Sequence, residues 1–180
     1  MSFPKRLRGT RIGLIGLGRS NTALAAVLVR EGAEVFVTEA RPEREVMDQV
    51  RRLPSGVSWE CGGHSDAVLA SDAVVRAPGI APHAAIVRAL YARGIPVTNE
   101  LEVSYRILIA RGCRPWIIAV TGTNGKTTTV TLIGEILRAR YPGTVVAGNI
   151  GSPLAEHLDR IGARTPVVLE VSSYQLEDIE

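Results

Sequence analysis

Lys126 is the side chain best placed for chemistry in this 180-residue sequence, because of the residues around it. It follows Gly122-Thr123-Asn124-Gly125 and precedes Thr127-Thr128-Thr129. Glycines let a backbone curl close to an anion, and the N–H groups at a helix start point outward without partners. An ammonium group there would neutralise the β- and γ-phosphates of ATP, and the Thr127 hydroxyl is placed to ligate Mg²⁺. The chemistry implied is phosphoryl transfer. A second oxygen ligand for the cation is available at Glu170, which closes the apolar run 166–171 and opens a polar loop. Taken alone, Glu170 reads as a strand-end surface acid; beside a phosphate loop it reads as a metal holder.

Such a cradle needs a strand before it and a helix after it. The apolar run 117–120 supplies the strand, and Val130, Ile133, Ile136 and Leu137 recur at helical spacing behind Lys126. The common P-loop carries a glycine five residues before Gly125, where this chain has Val120, so the loop is a shorter one beginning at Gly122. Gly122, Thr123, Asn124, Gly125, Lys126, Thr127 and Thr128 are therefore the expected nucleotide contacts. The plainer alternative is a surface turn that happens to hold a lysine. It leaves three consecutive threonines, poor residues for a helix interior, without a reason.

A second glycine motif lies near the start. Gly16-Leu17-Gly18-Arg19-Ser20-Asn21 follows an apolar run and precedes a helical pattern, with Glu39 at the end of the next run. This is close to a dinucleotide-binding fingerprint, in which the acid would hold a ribose. Asn21 stands in place of the third glycine, and a tight strand–helix turn is the plain reading. Arg41 favours a phosphate or a uracil-bearing nucleotide over NAD. Ala77-Pro78-Gly79 ends another run at the same edge, where open α/β sheets bind ligands.

Strand patterns at 11–15, 34–38, 58–60, 73–76, 95–98, 117–120, 144–147 and 166–171 alternate with helical ones. The fold class expected is α/β with parallel sheets: a Rossmann-like domain over 1–98, a connecting helix and linker over 99–115, and the first part of a P-loop domain over 116–180. Composition sets limits. With 46% hydrophobic and 22% charged residues the chain reads as globular, and a formal charge of +3 does not argue for nucleic acid. Cys61 and Cys113 lie far apart, with no spacing for zinc or a disulfide framework, and suit a reducing cytoplasm. His64, His83 and His157 show no metal-ligand spacing and read as ordinary loop histidines. No run is long enough to span a membrane, and the glycine-broken N-terminal segment makes a poor signal peptide.

Four motifs, GLGRSN, GTNGKTTT, GNIG and LEVSSYQLE, occur in order along the chain. Together they resemble the Mur ligases of peptidoglycan synthesis, a resemblance that spans all 180 residues. It implies that Arg19, Ser20, Arg41 and Gly79 contact the uridine and diphosphate of a UDP-linked substrate, and that Asn149 and Ser172 contact its muramoyl-alanine part. It assigns Lys126 to the transferred phosphoryl group, and Thr127 and Glu170 to Mg²⁺. The implied reaction joins D-glutamate to UDP-N-acetylmuramoyl-L-alanine through an acyl-phosphate, at the expense of ATP. Ala40 and Ala77 stand where family members often carry hydroxyl residues, so those uridine hydrogen bonds must come from elsewhere.

The expected protein is a cytoplasmic monomer with no nucleic-acid partner and no membrane insertion. The chain stops a few residues past Glu170, so it is expected to be the N-terminal part of a longer enzyme and inactive by itself. A UDP- or nucleotide-binding module without ligase activity is the alternative. An NAD-dependent oxidoreductase would account for GLGRSN but not for GTNGKTTT or LEVSSYQLE.

Overall fold

The computed structural model describes residues 3–179, and the chain divides into two compact units between Glu100 and Leu101. The first unit is built from β1 (Arg11–Ile15), α1 (Arg19–Arg30), β2 (Glu34–Glu39), α2 (Glu43–Val50), β3 (Ser58–Cys61), β4 (Ala73–Arg76), α3 (Ala85–Ala92) and β5 (Val97–Thr98). A 3₁₀ turn, Asp66–Ala70, precedes β4. α4 (Glu100–Ala110) begins at the division. The second unit continues with β6 (Trp116–Val120), α5 (Lys126–Arg140), β7 (Val145–Gly148), a 3₁₀ stretch Leu154–Arg160, β8 (Pro166–Glu170) and α6 (Ser173–Leu176).

The strands are largely the apolar runs of the sequence, and the inner ones, β4 and β8, lack alternation because both faces of a parallel sheet are buried there. β4, with Ala73, Val74, Val75 and Arg76, is buried throughout, as is β8. Every pairing is parallel. The first sheet has the order β3-β2-β1-β4-β5, so the chain winds one way from β1 and the other way from β4. The carboxyl ends of β1 and β4 therefore flank a topological switch point, where loops splay apart and leave a crevice. Leu24 and Leu28 of α1 and Leu90 of α3 are fully buried. Each such side chain contributes about 1.5–3 kcal/mol by leaving water.

The second sheet has the order β6-β8-β7. Val120 and Gly148 both stand in register with Glu170, so three strand ends meet at one carboxylate. α5 lies on this sheet through Val130 and Gly134, its buried residues. Among the described residues no helix is long and apolar enough to cross a membrane.

Gly148 makes the meeting of strand ends possible. Its φ is +109°, and a Cβ at this position would lie 2.3 Å from the Glu170 carbonyl oxygen. Gly148→Ala is expected to destabilise the second unit by about 2–4 kcal/mol, from backbone strain and overpacking together. Urea denaturation in a Trp59→Phe background, with Trp116 as the fluorophore, measures this. A change under about 0.5 kcal/mol would show that the strand ends can spread freely.

Candidate functional site

In the first unit the loops at the switch point enclose a cleft of about 580 Å³. Its walls include Arg19, Ser20, Arg41 and Gly79, the four residues to which the resemblance assigned the uridine and diphosphate. Arg19 and Ser20 are the first residues of α1, whose N-cap, Gly18, offers no side-chain cap. The N–H groups of that first turn have no helical carbonyl to bond, and the helix dipole favours an anion there. Asn21, in place of the third glycine, is wholly buried and braces the turn. Its Nδ2 donates to the carbonyls of Ile15 and Gly16 at 2.9 and 2.8 Å. The missing glycine is thus replaced by a side chain that ties the turn to the end of β1.

Glu39 does not reach for a ribose. Its Oε2 accepts from the Leu17 N–H at 2.7 Å and from Arg41 Nη2 at 3.0 Å. Its Oε1 accepts from the Arg41 N–H at 2.9 Å and from Arg41 Nε at 3.1 Å. Both oxygens are committed to holding the glycine loop and Arg41. Arg41 stays half exposed, with 47% of its side-chain surface open, so the guanidinium remains available to a ligand phosphate.

A polar chain lies on the same side of the cleft. Thr38 Oγ1 donates to Glu60 Oε1 at 2.7 Å and lies 2.8 Å from His64 Nδ1. Glu60 Oε1 also accepts from the Ser65 N–H at 2.9 Å. Burial alone would raise the Glu60 carboxyl, but the hydrogen bonds from Ser65 and Thr38 and the nearby His64 hold it below the ordinary range. From spacing alone His64 reads as an ordinary loop histidine. Its position directly after a strand of this sheet, at the ligand-binding edge, was the available signal.

In the second unit Gly125 caps α5 in the left-handed region, at φ +75°, which glycine adopts without a steric cost. Gly122, Thr123, Asn124 and Gly125 form the turn between β6 and α5, and Lys126, Thr127 and Thr128 open the helix. Lys126 Nζ rests on the carbonyls of Gly122 and Thr123, at 2.6 and 3.4 Å. Thr127 Oγ1 donates to Glu170 Oε2 at 2.7 Å, and Asn149 Nδ2 donates to Glu170 Oε1 at 3.2 Å. Loops 43 and 21 residues apart from Glu170 in sequence therefore converge on one carboxylate. Hydroxyl and carboxylate oxygens are the donors a hard cation such as Mg²⁺ takes. Among the described residues no group of three or more His, Cys, Asp or Glu side chains could hold a metal. A cation here would complete its shell with water and phosphate oxygens. Ser172 caps α6, accepting from the Gln175 N–H at 3.3 Å while Gln175 Oε1 accepts from the Ser172 N–H at 2.9 Å. This capping box commits one lone pair of the Ser172 hydroxyl to the helix and leaves its proton to be donated.

Glu39 carries a pH dependence. Burial pushes its carboxyl up, but the Arg41 side chain and N–H and the Leu17 N–H outweigh that and hold it at about 2 rather than 4.5. A depressed folded-state pKa stabilises fully above the unfolded value, and the stabilisation is lost as pH falls from about 4.5 towards 2. Glu39→Gln is expected to cost about 2–3 kcal/mol at neutral pH, less than the whole shift because Arg41 is half solvated. It should also flatten the acid limb of the stability profile. Trp59 fluorescence during urea unfolding at several pH values checks this, and an unchanged acid limb would refute the role of Glu39.

Residues 11–86 match the MurD N-terminal domain, and residues 120–180 match the Mur ligase middle domain. The UDP-N-acetylmuramoylalanine–D-glutamate ligase of Anaeromyxobacter dehalogenans is 41% identical over 181 residues, covering 100% of this chain and 38% of the relative. The enzyme of the same name from Pelotomaculum thermopropionicum is 44% identical over 172 residues, covering 93% of this chain and 36% of the relative. The chain thus spans a little over a third of the length of these relatives. In fold, the UDP-N-acetylmuramate–alanine ligase of Thermotoga maritima aligns with a TM-score of 0.50 at 22% identity, over 91% of this chain and 37% of that one. Two domain models of one family match in chain order, one on the cleft-bearing unit and one on the unit carrying Lys126, and the chain belongs to the Mur ligase family.

Proposed function

We propose that this chain supplies the UDP-gripping and ATP-gripping parts of a ligase that joins D-glutamate to UDP-N-acetylmuramoyl-L-alanine. The observation that carries the reading is the cluster of Lys126, Thr127 and Glu170 at the mouth of a short glycine loop, with the Thr127 hydroxyl 2.7 Å from the carboxylate. The curated relatives named above carry this activity in their names.

In this reading the muramoyl-alanine carboxylate attacks the γ-phosphorus of ATP. The new O–P bond forms as the bond to ADP breaks. The D-glutamate amine then attacks the acyl carbon, inorganic phosphate leaves with the C–O bonding pair, and the amine proton passes to solvent. Carboxylate and phosphate repel each other, so the chain must bring in positive charge. Lys126 exchanges its uncharged carbonyl partners for phosphate oxygens, so that both members of each bond are then ionised. Thr127 and Glu170 would hold Mg²⁺, which when bound adds further neutralising charge. Asn149, positioned by its bond to Glu170, and Ser172, through its hydroxyl proton, are the proposed contacts to the muramoyl-alanine part. Arg19, Ser20, Arg41 and Gly79 are those to UDP. ATP and UDP-sugars are cytoplasmic metabolites, and we read the protein as a cytoplasmic monomer.

Lys126→Ala is expected to weaken ATP binding to this chain at least 10-fold while leaving UDP binding within about twofold, because the two sites lie on different units. In a full-length ligase carrying these residues, the same change should abolish substrate-dependent ADP release. Calorimetric titration of both nucleotides measures the split, and an equal loss of UDP affinity would sink the two-site assignment.

Because Glu39 spends both oxygens on the loop and Arg41, it has none left for the ribose diol of NAD. UDP is expected to bind the chain at least 10-fold more tightly than NAD. Tighter NAD binding would favour an oxidoreductase-type cleft instead.

A further inference from the structure

Within the cleft of the first unit, the wall at the carboxyl ends of β2 and β3 presents Ala40, Arg41 and His64 to a ligand. Ala40 has no polar side-chain atom, and Arg41 is paired with Glu39 through Nε and Nη2. His64 is the group whose hydrogen-bonding state the surroundings fix. The Thr38 hydroxyl has a single proton, and its two other neighbours, Glu60 Oε1 at 2.7 Å and the Gly63 carbonyl at 3.3 Å, can only accept. Whichever of them takes the proton, the 2.8 Å bond between Thr38 Oγ1 and His64 Nδ1 must then run from the ring to the hydroxyl. The neutral ring therefore carries its hydrogen on Nδ1 and keeps a bare lone pair on Nε2. Nε2 has no partner among the described residues. The loop that delivers the ring is itself pinned to the end of β2, with the Gly62 and Gly63 N–H groups donating to the carbonyls of Arg41 and Glu39 at 2.9 and 3.2 Å.

We propose that His64 is a specificity-determining residue of this cleft, accepting through Nε2 a hydrogen bond from an N–H or O–H donor of the bound nucleoside, with Thr38 and Glu60 as its positioning residues. This inference rests on the reading of the cleft as a UDP site. The helix start at Arg19 and Ser20 suits the phosphates, and His64 lines the same cleft from the loop after β3, where it can meet the nucleoside. Two donors on a uridine fit a bare imidazole nitrogen: the base N3–H and the ribose hydroxyls. A fixed acceptor also discriminates, because a ligand that places an acceptor there would meet a second lone pair and lose its water without compensation.

The test uses the full 180-residue chain with UDP, N3-methyl-UDP and 2′,3′-dideoxy-UDP, followed by calorimetry. His64→Ala is expected to weaken UDP binding about 5- to 10-fold, the range of one neutral hydrogen bond. It should have no further effect on whichever analogue lacks the donor, and that analogue identifies the donor. Thr38→Val keeps the side-chain shape but frees the ring, and is expected to cost UDP affinity about 2- to 3-fold. Nitrogen-15 spectra of the neutral ring should show Nδ1 protonated in the unsubstituted chain, with the Nε2 signal moving on UDP addition. In Thr38→Val they should show mixed tautomers. A purely structural role for His64 would leave the Nε2 signal unmoved by ligand. UDP binding that is unaffected by His64→Ala, or a proton found on Nε2, overturns this inference alone. Failure of the unsubstituted chain to bind UDP overturns the reading of the cleft and this inference with it.

Discussion

Parallel strands bring their carboxyl ends to one edge, and in each unit a buried carboxylate at that edge ties the neighbouring loops together. Glu39 ends β2 with 5% of its surface exposed, and Glu170 ends β8 with 4%. Removing a carboxylate from water is costly unless its lone pairs are taken up. The two carboxylates meet that demand differently. Glu39 is held by two backbone N–H groups and a guanidinium that folds back from two residues away, so its acceptors are consumed inside the chain. Glu170 is held by a hydroxyl and a side-chain amide, both of which can turn away. The first arrangement is a fixed tie. The second rests on two side chains alone and can be exchanged.

The register of the strands is what makes each tie possible. Val120 and Gly148 stand opposite Glu170 on either side, so the loops after β6 and β7 leave the sheet at the level of one carboxylate. The Asn149 N–H then bonds the Glu170 carbonyl at 2.8 Å, and the Val171 N–H bonds the Val120 carbonyl at 2.9 Å. A register slip of one residue would turn Glu170 to the other face and leave Thr127 without its partner. The glycine loop before α5 is therefore specified by the sheet as much as by its own glycines.

Much of this was legible in the sequence because it is local. The run at 11–15 became β1 over the same residues, the run at 73–76 became β4, and the turn before Lys126 became the cap of α5. Spacing alone put Thr127 at a helix start and Glu170 at a strand end. What the sequence hid were bonds between residues some twenty apart. Glu39 read as a ribose ligand because a strand-end acid beside a glycine loop has that spacing; only the fold shows the Leu17 N–H 2.7 Å away, already bonded to it. His64 reads as ordinary because a histidine's meaning lies in its neighbours, and Thr38, itself bonded to Glu60, reaches it from the adjacent strand. The capping box of Ser172 and Gln175 was written openly in the sequence, yet motif resemblance drew attention to Ser172 as a ligand contact first.

The posture of Lys126 follows from the same balance of local and tertiary demands. Its ammonium rests on the Gly122 and Thr123 carbonyls, four and three residues back along the loop. Those bonds keep the side chain folded over the turn and pre-pay part of its conformational entropy, which for a lysine reaches about 1.5–2 kcal/mol when fully lost. The acceptors are neutral carbonyls, so a phosphate oxygen outcompetes them through charge. Gly122 lies at φ +149°, a backbone conformation that other residues rarely adopt, and the left-handed Gly125 turns the chain so that Lys126 is the first helical residue. The loop thus holds the ammonium over its own backbone through two bonds to uncharged acceptors. A loop that instead paired the lysine with a carboxylate would hold it more tightly but oppose the phosphate. Glu170, the acid at this edge, is turned to Thr127 and Asn149.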